Sequence, residues 1–397
     1  MRRAKILDFL LILLFWFAPT QAMVSAIIGG AVRQRDIFGQ LVWVENGNAS
    51  TYVEYFFLAM VSVLLFTLAL SKLFHKTFAE KEPTRGLFIA VILLVAVSTI
   101  FNLQSWNISD LARTVLFFSV GVSFIGHVIS ERTLTLMRFS AIALLVLIGV
   151  FASLRPDYAF NECRDDKCSP FGSLMNSFLP HENYLALVML ACLPLLLGVV
   201  RTWLRNTSVA VCLVYILASG SRVAYLAVGV YSLLVVARKT KWAIALPPVT
   251  VVFSLIILFS LTGNDVTGRG TIYQFIRERL QTGWVLGSGP NTLIDAYQSG
   301  QIAFLAYHEH GFAPYLLDRY GAIVFLAVFS YFLAVAVKLW KNPLVLTKLE
   351  RWLPMSMISL SFASETPLQF TISGPFVWVL ALYVSSEVMA HPTPTAH

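Results

Sequence analysis

Long apolar runs recur along almost the whole 397-residue chain, and a cluster of Lys and Arg follows every second run. A helix needs roughly 20 apolar residues to cross about 30 Å of hydrocarbon, so the runs have the length of membrane spans. The clusters are Arg2, Arg3 and Lys5; Lys72, Lys76, Lys81 and Arg85; Arg132 and Arg138; Arg201 and Arg205; Arg238, Lys239 and Lys241; and Lys338, Lys341, Lys348 and Arg351. Loops rich in Lys and Arg stay in the cytoplasm, so these six clusters mark one compartment, and each pair of runs between them leaves and returns. The pattern predicts an all-α polytopic protein, a single integral membrane domain over residues 1–397. Its twelve spans fall near 6–32, 52–73, 86–103, 111–129, 139–154, 184–200, 203–220, 223–236, 242–261, 312–337, 353–370 and 374–389. Both termini are then cytoplasmic. The inner side holds 18 basic and 6 acidic residues, the outer side 11 basic and 15 acidic, which is the asymmetry this topology requires.

Composition excludes the other broad classes. Only 13% of residues are charged and 57% are hydrophobic, with a mean hydropathy of +0.74. A soluble domain carries about a quarter charged residues, so this chain cannot cover a globule of its size with ionisable side chains. A membrane β-barrel would show segments of about ten residues alternating apolar and polar, a pattern absent here. Topology accounts for the net charge of +8, so membrane lipids are the expected surroundings and no nucleic-acid partner is expected. The first run and Thr20-Gln21-Ala22 have the outline of a signal peptide, but the apolar stretch resumes at once, and it is read as a span.

Three external segments exceed turn length: 33–51, 155–183 and 262–311, the last with a predicted helix near 272–281. Long loops on a compact scaffold commonly carry function, so the chemistry is expected on the external face. Cys163 and Cys168 share the second loop and are candidates for a short disulfide in an oxidising compartment, a metal clip being the weaker reading. Cys192 and Cys212 lie inside apolar runs and read as packing residues.

A few residues are expensive where they stand. Ser219-Gly220-Ser221-Arg222 interrupts about 30 apolar residues between two cytoplasmic clusters, so the chain must turn near Gly220 and leave Arg222 at the outer membrane surface. An ionised group at such depth calls for a partner, either an anionic ligand or an ion pair with Glu54 or Glu365. The third loop carries Gly268-Arg269-Gly270, Arg277, Arg279 and Gly287-Ser-Gly289, and ends in His308-Glu309-His310-Gly311. Arginine binds phosphate oxygens through two parallel hydrogen bonds, whereas Arg277 and Arg279 alone read as a solvated helix face. A neutral imidazole at the membrane edge is a candidate general base, with a metal site and structural histidines as the competing readings. His181 and Asn183, at the mouth of the sixth span, are either substrate contacts or a helix-entry cap.

Taken together, Gly172-Ser-Leu-Met-Asn-Ser-Phe-Leu-Pro-His181-Glu-Asn183, Ser219-Gly-Ser-Arg222, Gly268-Arg269, Gly287-Ser-Gly289 and His310 eleven residues before Gly321 resemble the O-antigen ligase and polymerase superfamily of bacterial membrane glycosyltransferases. The motifs cover roughly 170–322, and the twelve-helix plan with its large periplasmic loop between helices 9 and 10 extends the likeness along the chain. The resemblance implies a GT-C-type fold in the bacterial inner membrane with its active site facing the periplasm. It implies transfer of a glycan from undecaprenyl pyrophosphate to an acceptor such as lipid A-core oligosaccharide, inverting, metal-independent and without cofactor. In that scheme His310 is the base and Arg222 and Arg269 hold the pyrophosphate, with His181, Asn183, His308 and Arg277 as further substrate contacts. Gly311 follows His310 where the family often has Asn, and Tyr273 stands where Trp is common. The same donor chemistry serves an O-antigen polymerase or a ligase acting on proteins. A transporter of lipid-linked oligosaccharide is the reading from another class, although the ionisable groups gather at one face and no repeat is seen.

Overall fold

The computed structural model describes residues 2–28, 32–35, 41–44, 83–125, 127, 129–163, 167–179, 182–222, 224–226, 228, 229, 232, 246–261, 269–290, 293, 295, 296, 299–301 and 311–341, with isolated helical residues at 61, 62, 65, 68, 378 and 381. The expected spans 52–73, 353–370 and 374–389 lie almost wholly outside these residues, and 223–236 is described only in part.

The described chain is mostly helical. The long helices are α1 (Arg2–Ile28), α2 (Pro83–Phe101), α3 (Ile108–Phe124) and α4 (Glu131–Leu154). After the single turn α5 (Pro156–Ala159) come α6 (Glu182–Leu197), α7 (Thr202–Ala218) and α8 (Leu246–Ser260). Last are α9 (Arg269–Gly283) and α10 (Phe312–Lys341). Segments Lys5–Val24, Glu131–Leu154 and Phe312–Val335 are long and apolar enough to cross a membrane, and Gly86–Phe101, Glu182–Leu197, Thr202–Ala218 and Pro248–Ser260 are shorter apolar helices. Burial agrees with a lipid surround. On α8, Val249, Val252, Ile256 and Phe259 form an outward stripe at helical spacing, each 55–60% exposed, while Val251 and Leu258 are buried. A stripe of this kind is unfavourable in water and favourable against acyl chains.

Local chemistry moves several helix boundaries from the hydropathy reading. α3 starts three residues before the expected 111 because the Asn107 side chain accepts the Asp110 N–H at 2.7 Å. α4 starts eight residues before the expected 139, because Ser130 Oγ accepts the Thr133 N–H at 3.2 Å and begins a helix that carries Arg132 and Arg138. Such side-chain caps satisfy amide groups that the first turn leaves unpaired. The first external segment, expected as a loop, contains an antiparallel hairpin of β1 (Val32–Arg35) and β2 (Leu41–Val44), with Arg33 opposite Trp43.

Packing sets the helix directions. Phe88 of α2 meets Phe118 of α3 at 6.3 Å between ring centres and Tyr331 of α10 at 5.2 Å, while Trp106, just past α2, meets Tyr320 at 5.9 Å. α2 is therefore antiparallel to both α3 and α10. α1 runs alongside α4, since Asp8 bonds His127 at 2.7 Å and Ser130 at 2.8 Å while Trp16 donates to Ser140 at 3.0 Å. α6 and α7 pair closely across the short link 198–201. The C-terminal ends of α2, α4, α7 and α8 thus share one end of the bundle with the N-terminal ends of α3, α6 and α10. Asp8, His127 and Ser130 lie at the opposite end.

Candidate functional site at the loop end of the bundle

Between α4 and α6 the chain makes a small ordered platform. β3 (Phe160–Asn161) pairs antiparallel with β4 (Leu174–Met175), and a disulfide joins Cys163 to Cys168. The platform is tied down from beneath: Ala159 O accepts the Asn176 and Ser177 amides at 3.0 and 3.1 Å, and Ser177 Oγ donates to Ile148 O at 3.1 Å. Asn176 and Ser177 are fully buried, so these bonds satisfy groups that would otherwise be costly to desolvate. From the platform Lys167 reaches the first turn of α6, donating to Glu182 Oε1 at 3.0 Å and Asn183 Oδ1 at 2.6 Å.

The Ser219–Arg222 turn rests on the same platform. Gly220 has φ 64°, and a Cβ there would press into Leu174 and lie 3.3 Å from both the Cys168 carbonyl carbon and the Ser169 nitrogen. Glycine is required twice over, by the backbone angle and by the close approach. Ser219 Oγ accepts the Ser221 N–H at 3.2 Å, and helical geometry resumes at Arg222, whose side chain is exposed and has no ion-pair partner among the described residues. Glu54 and Glu365, the ion-pair candidates from sequence, lie outside those residues. Three motifs distant in sequence therefore form one connected surface: the cysteine pair, the start of α6 and the turn bearing Arg222.

A second arrangement joins α9 to α10. α10 is broken at Gly321, with φ 82° and ψ 177°, a conformation essentially confined to glycine. In an unbroken helix Ala322 N–H would bond Asp318 O. Here Ala322 N–H donates to Trp284 O at 2.7 Å, and Asp318 O accepts Ser288 N–H at 2.7 Å. Arg319 O, also released by the break, accepts Gly289 N–H at 3.1 Å. Residues 284–289 thus run antiparallel to 318–322 and replace the missing helical bonds, as irregular backbone at membrane depth requires. A Cβ on Gly287 would strike Arg319 and Tyr320 backbone, one on Gly289 would strike Ser105, and one on Gly321 would strike Val285. α2 holds the segment from its other side, with Ser98 Oγ and Asn102 Nδ2 donating to Leu286 O at 2.7 and 3.1 Å.

Charged side chains secure the same junction. Arg279 of α9 lies 3.3 Å from the fully buried carboxylate of Asp318 and stacks over Phe275 at 5.3 Å. Arg277 Nη1 donates to Leu258 O and Leu261 O at 2.6 and 2.7 Å, closing the end of α8. Beside it, a cavity of about 610 Å³ opens between α8, α9 and α10, lined by Leu255, Phe259, Leu280, Trp284, Phe325 and neighbouring side chains.

No family model and no curated protein matches the chain. Arg222, Asn183, Arg277, Cys163 and Cys168 all stand at the loop end of the bundle. Arg269 is the first residue of α9, though its side chain falls outside the described residues, as do His181, His308 and His310. α10 begins two residues after His310. Sequence reasoning passed over Lys167, the Arg279–Asp318 pair and the break at Gly321. The last had a legible signal, since Asp318-Arg319-Tyr320-Gly321 places two charges and a glycine inside a span.

Proposed function

We propose that the chain is a membrane glycosyltransferase of O-antigen ligase type. It transfers a glycan from undecaprenyl pyrophosphate to lipid A-core oligosaccharide in lipopolysaccharide biosynthesis. The observation that carries the reading is Arg222: an exposed guanidinium at the loop end of apolar helices, reached through a turn that requires glycine and lacking an ion-pair partner among the described residues. An exposed arginine beside apolar helix ends suits a diphosphate headgroup anchored by its own lipid. Among the described residues, Lys5, Arg85, Arg132, Arg138, Arg201, Arg205, Lys338 and Lys341 lie at the opposite end, which supports a cytoplasmic reading of that end and a periplasmic reading of the loop end. The Cys163–Cys168 disulfide accords with an oxidising compartment.

In the reaction His310 takes the proton of the acceptor hydroxyl as its oxygen attacks the anomeric carbon from the side opposite the pyrophosphate. The new glycosidic C–O bond forms, the bond to the pyrophosphate oxygen breaks, and the electron pair leaves with undecaprenyl pyrophosphate, giving inversion. Arg222 and Arg269 stabilise the charge that accumulates on the leaving group, an electrostatic role that requires no metal. The apolar cavity beside Arg277 is of suitable character for part of the carrier's isoprenoid chain.

Purified protein supplied with lipid-linked glycan and lipid A-core tests the reading through product size on a gel. Ligation produces a ladder attached to the core. Longer material still bound to the carrier would identify a polymerase, and unchanged substrates would remove the enzymatic reading in favour of a transporter.

A further inference from the structure

Lys167 has a chemical consequence beyond pairing. Its side chain and that of Glu182 are each only 9% exposed, and its ammonium contacts Glu182 and Asn183 together. An ammonium can only donate, so the Asn183 atom that faces it at 2.6 Å must be the carbonyl oxygen. The Asn183 NH₂ is thereby turned away from Lys167, and among the described residues no acceptor meets it. The pair also neutralises Glu182, which would otherwise repel an anion next to the start of α6. Lys167 sits inside the loop closed by Cys163 and Cys168, and the next residues of that loop receive Gly220, two positions before Arg222.

We infer that Lys167 is a positioning residue for the pyrophosphate of the donor: it fixes Asn183 as a hydrogen-bond donor toward the phosphate oxygens and cancels the charge of Glu182 beside them. The inference rests on the glycosyltransferase reading and goes further in naming how the start of α6 is set to face an anion. Bare undecaprenyl pyrophosphate is the probe, its binding to the full-length protein measured alongside thermal unfolding. Lys167→Met should lower both unfolding temperature and affinity, because it removes the ammonium that pairs with the buried Glu182 carboxylate. Adding Glu182→Gln should restore the unfolding temperature but leave affinity about tenfold below wild type, the worth of one directed hydrogen bond to a charged group. Asn183→Asp keeps an oxygen for Lys167 and suits a helix N-terminus, so it should unfold no earlier than wild type while also losing about tenfold in affinity. Recovery of wild-type affinity in the Lys167→Met/Glu182→Gln variant, or unchanged affinity in Asn183→Asp, would reduce Lys167 to a structural ion pair and overturn the inference. Wild-type protein that fails to bind the probe would overturn the glycosyltransferase reading as well, so the two failures are distinguishable.

Discussion

Arg222 and His310 have separable jobs in the proposed reaction, and their variants should fail in different ways. Arg222→Lys keeps the charge but cannot form two parallel hydrogen bonds, so its affinity for undecaprenyl pyrophosphate should fall about tenfold or more, read by direct binding. Equal affinity would assign the guanidinium to an ion pair instead. His310→Ala should bind the carrier as wild type does and form no ligated product. Residual turnover near wild type would move the base elsewhere, with His308 the first residue to try. Arg222 was legible in the sequence because a charge inside an apolar stretch has few explanations. Lys167 was not, since its partners Glu182 and Asn183 lie 15 and 16 positions away and a lysine in a polar loop is ordinarily solvated.

At the scale of elements, the broken α10 gives the sharpest test. Gly321→Ala must adopt a backbone conformation costing about 1–3 kcal/mol and must also push against Val285, so the protein should unfold at a lower temperature. Gly229 provides the control: it is helical with open space around its Cα, and Gly229→Ala should leave unfolding unchanged or slightly delayed. Similar behaviour of the two variants would mean that 284–289 does not hold the break. Apolar length made the apolar helices readable, because it is a summed property of many residues. Boundaries were less readable, since α3 and α4 are started by single side chains, Asn107 and Ser130, that act through one hydrogen bond each. The break itself depends on bonds between residues 30 to 38 positions apart, which no local pattern encodes.

For the molecule as a whole, helix directions place Asp157 and Arg201 at opposite ends of the bundle, the first after α4 and the second between α6 and α7. Single cysteines at these positions, in a background lacking the native four, should react with an impermeant maleimide from opposite sides of the membrane, residue 157 from the periplasm. Labelling of both from one side would reverse the topology and remove the donor site from the periplasmic face. In the proposed reaction Arg222 stands at the pyrophosphate of a lipid-linked glycan. An experimental structure with undecaprenyl pyrophosphate bound measures this most directly. Phosphate oxygens are expected within hydrogen-bond distance of the Arg222 guanidinium, beside the platform closed by Cys163 and Cys168. A headgroup bound at the end that carries Asp8 and His127, or Arg222 paired with a carboxylate and away from the phosphates, would contradict it.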